Sequence, residues 1–401
     1  MITVLWLCGP PGVGKTTVAW QLYQELNRSG RSAAFVDVDQ LGICYPERAA
    51  DPGRHRMKAH NVAAVAEGFR RAGARCLVVP GVVDAERGVE LAGLPRAAVT
   101  VCRLRVGPDE LRRRFLGRGG APGLLDAVLR EADALDASDF ADVCVETGGV
   151  AVPEVVRLVR ERTGGWPGSA PSAAVDAGEP PDVLGERRPA DGPVLWLCGA
   201  TGVGKSAVGF AVYQRVLRAG FTAAYVDLDQ VGFCHPLPPD DPGGHRVRAR
   251  NLAALWRTYR SAGAQALVVT GPVGDPAAVG VYAQALPGAE FTLCRLHAGR
   301  EELTRRIMRR GRGGGWSQPG DPLRGQPAER LLGVADEAVT TAVTLEDAGV
   351  GDLRIDTDGH TADQVADVIL ARTAWPSAAE PKAGPRARLG RRPSMPRPRH
   401  L

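Results

Sequence analysis

Val4-Leu-Trp-Leu-Cys-Gly-Pro-Pro-Gly-Val-Gly-Lys-Thr-Thr17 runs an apolar strand straight into a glycine-rich turn that matches G-x-x-x-x-G-K-[ST]. The stretch returns 190 residues later as Val194-Leu-Trp-Leu-Cys-Gly-Ala-Thr-Gly-Val-Gly-Lys-Ser-Ala207. Each copy has what a phosphate-cradling loop requires. Gly9, Gly12 and Gly14, like Gly199, Gly202 and Gly204, permit a backbone path that turns successive N–H groups inward as an anion nest, and the helix that follows adds its positive end. Lys15 and Lys205 supply a point charge for the β- and γ-phosphates. The hydroxyls of Thr16 and Ser206 suit a Mg²⁺ ion that keeps most of its waters. Val13, Thr17, Val203 and Ala207 complete the two nucleotide-binding segments. The expected cofactors are therefore ATP and Mg²⁺. The chain has 50 basic residues but only four lysines, Lys15, Lys58, Lys205 and Lys382, and two of the four sit in these loops.

The repeat continues outward from the loops. Ala33-Ala-Phe-Val-Asp-Val-Asp-Gln40 and Ala223-Ala-Tyr-Val-Asp-Leu-Asp-Gln230 read as second strands. Side chains alternate along a strand, so Asp37 and Asp39, and equally Asp227 and Asp229, are expected on one side at the strand's carboxyl end, where open parallel sheets bind ligands. Two carboxylates there can help hold Mg²⁺ through water and accept the proton of an attacking hydroxyl; the plainer alternative is a cap or turn. Neither third strand, 74–80 or 265–270, ends in an Asp-Glu pair, which argues against a hydrolysis-driven motor.

After fourth strands at 98–104 and 289–296, a helix carries Arg114 and Arg118, or Arg306 and Arg310, each pair four apart on one face. Such a face is what a lid closing over phosphate needs, with an exposed basic helix as the alternative. The copies then part company. The run from Gly119 to Glu146 is 18 residues shorter than the run from Gly311 to Asp356, so the first copy is expected to close poorly.

A chain of 401 residues with 44% apolar content has room for two cores. The division expected is 1–163, a linker over 164–192, 193–373, and a tail over 374–401. The linker is rich in Gly, Pro and Ala, and its 29 residues reach about 30 Å as a random coil, so the two domains can dock without being obliged to. The net charge is +5, but the Pro- and Arg-rich tail alone contributes +6, leaving the remainder at −1. The domains therefore present no basic face for nucleic acid. The eight cysteines show no C-x-x-C pair and read as small buried hydrophobes in a reducing cytosol. No basic n-region precedes a long apolar run, which points to a cytoplasmic protein without a membrane partner.

Each half resembles the small P-loop kinases that phosphorylate metabolites: adenylylsulfate kinase, shikimate and gluconate kinases, and chloramphenicol phosphotransferase. The resemblance rests on the W-L-C-G-x-x-G-V-G-K-[TS] start, the D-x-D-Q strand end and the Arg-bearing lid helix, although D-x-D-Q differs from the D-G-D-N of adenylylsulfate kinase. It implies an α/β fold made of two nucleoside-monophosphate-kinase-like, three-layer P-loop NTPase copies, each with a parallel five-stranded sheet in the order 2-3-1-4-5. It also implies MgATP at the loop, a small-molecule acceptor near the aspartates and a closing lid. Asp37 and Asp227 match the base or metal-linked carboxylate, and Asp39 and Asp229 the one nearer the acceptor, with either order open. The expected activity is ATP-dependent transfer to a hydroxyl, mainly in the second half. A nucleotide-binding regulatory module without an acceptor is the alternative, and nucleic-acid end modification recruited by the tail is a third.

Overall fold

With nothing polar between Val4 and Cys8, strand β1 (Ile2–Cys8) has to be covered on both faces, and it is buried along its whole length. The computed structural model describes residues 1–94, 97–168, 190–273, 276–314 and 320–376. Most of the linker, 169–189, and of the tail, 377–401, thus lies outside the described residues, as do 315–319 of the longer second lid.

From β1 the first repeat continues through α1 (Lys15–Arg28), β2 (Ala33–Phe35), β3 (Cys44–Tyr45), α2 (His55–Arg71), β4 (Cys76–Pro80) and β5 (Ala97–Arg105). It ends with α3 (Pro108–Gly117), α4 (Leu125–Ala137), β6 (Val143–Glu146) and α5 (Val152–Arg162). The second repeat opens with β7 (Gly192–Cys198), α6 (Lys205–Arg218), β8 (Ala223–Asp227), β9 (Cys234–His235), α7 (His245–Ser261) and β10 (Ala266–Thr270). It closes with α8 (Pro276–Ala285), β11 (Ala289–His297), α9 (Arg300–Gly311), α10 (Ala328–Asp347), β12 (Leu353–Asp356) and α11 (Ala362–Thr373). Helix α8 lies where the sequence reading places none.

The described residues form two compact units that cut across the sequence repeat. The first lies within Met1–Asp191, Val226–Ala264 and Ala277–Gly288, and the second within Gly192–Tyr225, Gln265–Pro276 and Ala289–Leu401. In the first unit the sheet runs β6-β5-β1-β4-β2-β9. Its five strands from the first repeat are parallel and, numbered among themselves, stand in the order 2-3-1-4-5. The sixth is new: β9, from the second repeat, pairs antiparallel with β2, with Ala33 opposite His235 and Ala34 opposite Cys234. In the second unit β12-β11-β7-β10-β8 repeats the same order.

The reason β9 belongs with the first unit is visible in its neighbours. The Phe35 N–H donates to the Phe233 carbonyl at 3.0 Å. The Phe233 ring packs on Trp20 and Phe35, with centroids 5.0 and 5.8 Å away. Helix α7 then lies along α2. The two helices approach so closely that a Cβ on Gly68 would stand 1.9 Å from Asn251 Oδ1. Asn251 has little freedom to yield, being fully buried and donating through Nδ2 to the Val231 carbonyl at 2.8 Å. Gly68→Ala is expected to cost about 1–3 kcal/mol, read as a lower urea midpoint at unchanged m-value.

The eight cysteines are free thiols, seven of them buried and Cys144 half-buried. Among the described residues no helix is long and apolar enough to cross a membrane.

Candidate nucleotide site

The geometry of the first site lies wholly within the first unit. Gly9 takes φ +141°, and a Cβ there would meet the Leu104 carbonyl oxygen at 2.5 Å. Only glycine permits that path against β5. Gly14, at φ +103°, starts α1 with no side-chain cap, so the first N–H groups of the helix stay available to an anion. Lys15 Nζ donates to the carbonyls of Gly9 and Pro10 at 2.7 and 3.1 Å. Burial lowers its pKa, opposed by the carboxylates of Asp39, Glu131 and Asp37. The second loop repeats the arrangement, with Gly199 at φ +134° and Lys205 Nζ on the Gly199 and Ala200 carbonyls at 2.9 and 3.0 Å.

The aspartates are placed by a turn rather than by strand alternation. Strand β2 stops at Phe35, and Asp39 has helical angles (φ −70°, ψ −29°) at the head of a 3₁₀ turn, Gln40–Gly42. This corrects the expectation of a strand through Asp39 with both carboxylates on one strand face. Val36 and Val38 still donate to the Val78 and Pro80 carbonyls at 3.1 and 2.9 Å, and the chain turns only at Asp39, whose N–H donates to Asp37 Oδ1 at 2.9 Å. Asp37 Oδ2 accepts from Thr16 Oγ1 at 3.0 Å, so this carboxylate reaches the loop hydroxyl. Burial raises the Asp37 pKa to about 7, helped by the neighbouring Asp39 charge. Asp39 points away, half-exposed, with Lys58 Nζ 3.2 Å from its Oδ1. In the second repeat Asp227 likewise accepts the Asp229 N–H, at 3.1 Å, and Arg248 stands 3.7 Å from Asp229.

Lys58 and Arg248 were not singled out from the sequence. The available signal was the rarity of lysine combined with a basic residue at the same offset in both repeats. Glu131 was missed as well: half-buried on α4, it has its pKa raised by burial and opposed by Lys15 and Lys58.

The arginines divide. Arg114 donates to Glu110 Oε1 at 2.7 Å, to the Val13 carbonyl at 3.3 Å, and to Thr147 Oγ1 and O at 3.0 and 2.8 Å. Arg306 makes the same set with Glu302, Val203 and Thr357, at 2.5 to 2.9 Å. Both guanidinium groups thus fasten the phosphate loop to the turn after the last strand. Arg306→Ala leaves Glu302 and two carbonyls without this donor, and a loss of about 1–3 kcal/mol is expected in calorimetric unfolding. Arg118 lies over the Phe115 ring at 5.6 Å, and burial lowers its pKa. Arg310 pairs with Asp321 at 2.6 Å.

The first loop is not the more open of the two. Lys15 is 9% exposed, whereas Lys205 is half-buried. A hydroxyl and a carboxylate oxygen at contact distance are donors that fit a Mg²⁺ ion, and the loop amides and Lys15 fit a polyphosphate. Among the described residues no group of three or more His, Cys, Asp or Glu could hold a metal by itself. A Mg²⁺ ion held largely by water and phosphate does not need one.

Residues 5–133 match a family model described as an AAA domain. The chain thus has two glycine-rich loops, each beside a sheet whose five parallel strands stand in the order 2-3-1-4-5, the α/β arrangement of P-loop folds. β4 ends Val-Val-Pro without an acidic pair, so the likeness lies in the loop and sheet. Among solved structures, a gluconokinase from Sinorhizobium meliloti is 17% identical, covering 46% of this chain and 94% of its own, with a TM-score of 0.31. The APS kinase of Mycobacterium tuberculosis is 22% identical over 46% and 98%, TM-score 0.28. A tunicamycin resistance protein of Deinococcus radiodurans is 20% identical over 45% and 95%, TM-score 0.29. No curated protein matches the chain.

Proposed function

We propose that the protein transfers the γ-phosphate of MgATP to a hydroxyl of a small molecule in the cytoplasm, chiefly at the second loop. The observation that carries the reading is the Thr16 hydroxyl on the Asp37 carboxylate beside Lys15, a hard-cation corner at the mouth of an anion nest. Lys205, Ser206, Asp227 and Asp229 hold the corresponding sequence positions in the second repeat. Bound MgATP would supply the electrophilic phosphoryl group. Of the chain's own groups, Lys205 would neutralise phosphate and Ser206 would ligate Mg²⁺. Asp227 would take the acceptor's proton or orient the metal's water, and Asp229, with Arg248 beside it, would face the acceptor. Arg310 would add positive charge from the lid helix.

The emphasis on the second loop has a physical basis in the helices α4 and α10 that follow the lid helices. Buried Arg103 on β5 reaches Asp136 on α4 at 4.0 Å, and buried Arg295 on β11 reaches Glu346 on α10 at 2.5 Å, which aligns the two helices. Five residues earlier the first has Glu131, within electrostatic reach of Lys15, and the second has Thr341. A carboxylate within reach of Lys15 competes with phosphate for it.

The same Glu131 favours a second reading for the first loop, a nucleotide-binding module without turnover. An acceptor screen on the full chain, with and without Lys205→Ala, tests both. Acceptor-stimulated ADP release that vanishes in the variant supports transfer at the second loop. Slow ADP release that no acceptor stimulates overturns it.

A further inference from the structure

The carbonyl of Leu41, two residues beyond Asp39, is held by donors from both repeats. Asn61 Nδ2 on α2 donates to it at 2.7 Å. The hydroxyl of Tyr259 on α7 donates to it from the other side, also at 2.7 Å. Tyr259 is 0% exposed, and burial pushes its phenol well above the ordinary range. A carbonyl offers two lone pairs, so the two donors satisfy it and fix the turn Gln40–Gly42 against two helices. That turn follows directly on the Asp39 N–H that Asp37 accepts. The repeat is not symmetrical here. The Val231 carbonyl accepts from Asn251 at 2.8 Å, but the residue matching Tyr259 is Phe69, which has no hydroxyl to donate.

We propose that Tyr259 is a positioning residue for the first nucleotide site, acting through Leu41 on the loop that carries Asp37 and Asp39. The first site is then completed by the second repeat. Helix α7 carries Arg248, beside Asp229, about three turns before Tyr259 on the same helical face, so one rigid element meets both acceptor loops. This rests on the reading of the Thr16–Asp37 corner as a Mg²⁺-nucleotide site.

The test uses the full chain with Lys205→Ala, which silences the second loop, and adds Tyr259→Phe. Phe69 shows that a ring without the hydroxyl suits the matching place in α2, and retention of the unfolding transition checks that the variant folds. Deuterium exchange at the Gln40 and Gly42 amides is expected to rise about fivefold, with Gln230 and Gly232 unchanged. By calorimetric titration, ATP affinity without Mg²⁺ should stay within about twofold, while affinity with Mg²⁺ falls about fivefold, because the disturbed group is the carboxylate on the Thr16 hydroxyl. A general structural weakening would lower both affinities alike. Unchanged exchange at Gln40 and Gly42, or equal loss with and without Mg²⁺, overturns the proposal. A parent chain with no Mg²⁺-dependent ATP affinity overturns the functional reading itself, and the parent titration tells that failure apart from the other two.

Discussion

Asp227→Asn is expected to lower acceptor phosphorylation by about 10²–10⁴-fold while leaving ATP affinity measured without Mg²⁺ within about twofold. The amide keeps the size and one acceptor oxygen of the carboxylate, so the Asp229 N–H that now bonds to Asp227 Oδ1 retains a partner. What disappears is the negative charge, needed whether the group accepts the acceptor's proton or orients a metal-bound water. Nucleotide affinity is carried by Lys205 and the loop amides, which the substitution does not alter. Asp229→Asn, within the turn Leu228–Val231 and half-exposed beside Arg248, should act mainly on the acceptor's KM. The matching change Asp37→Asn should reduce turnover by less than about threefold if the second loop does the chemistry. Initial rates for the three variants with one acceptor settle the assignment: full activity in Asp227→Asn, or equal losses from Asp37→Asn and Asp227→Asn, would refute it.

The second large effect concerns stability. Asp37 is buried, and its pKa is raised from 3.8 to about 7. A carboxyl whose folded-state pKa lies above its unfolded value favours folding in the protonated form. Its contribution is fully present below pH 3.8 and is lost as pH rises through about 7. A shift of this size corresponds to a penalty of up to about 4 kcal/mol at pH 8, as an order of magnitude. Asp37→Asn removes the penalty, because the amide oxygen can still accept the Asp39 N–H while its NH₂ donates to the Thr16 hydroxyl, with no buried charge. The variant should therefore be more stable than the parent at pH 8 by up to about 4 kcal/mol, with the gap shrinking steadily as pH falls from about 7 towards 3.8. Adding ATP with Mg²⁺ should narrow the gap at pH 8, since a cation at the Thr16 hydroxyl favours the ionised form. Urea unfolding at pH 5, 6, 7 and 8 measures this directly, and a difference independent of pH would show that Asp37 does not titrate in that window.

A site residue that weakens its own fold when ionised is a familiar trade between stability and function. It also marks the limit of what could be read from the chain alone. The D-x-D-Q pattern locates the carboxylates but not their conformation. Strand alternation would give Asp37 and Asp39 equivalent settings, whereas the turn that starts at Asp39 leaves one buried against Thr16 and the other half-exposed beside Lys58. The arginines show the same limit. Spacing puts Arg114 and Arg118 on one helix face, but whether a guanidinium meets phosphate or the loop's own carbonyl depends on where Thr147 and Val13 fall, more than thirty and one hundred residues distant from Arg114.

The sequence by itself determined the two glycine-rich loops and the duplication, because these follow from local requirements: glycine where φ is positive, apolar runs where a strand is buried on both faces, and a lysine at fixed spacing; the strand order was legible only through the family resemblance. Only the tertiary structure decided that β9 and α7 of the second repeat complete the unit around the first site, with Gly68 against Asn251 and Tyr259 on Leu41. Such contacts join residues some two hundred positions apart. Their energy comes from shape and hydrogen-bond satisfaction at an interface that neither repeat encodes alone, so no periodicity or motif within one repeat can announce them.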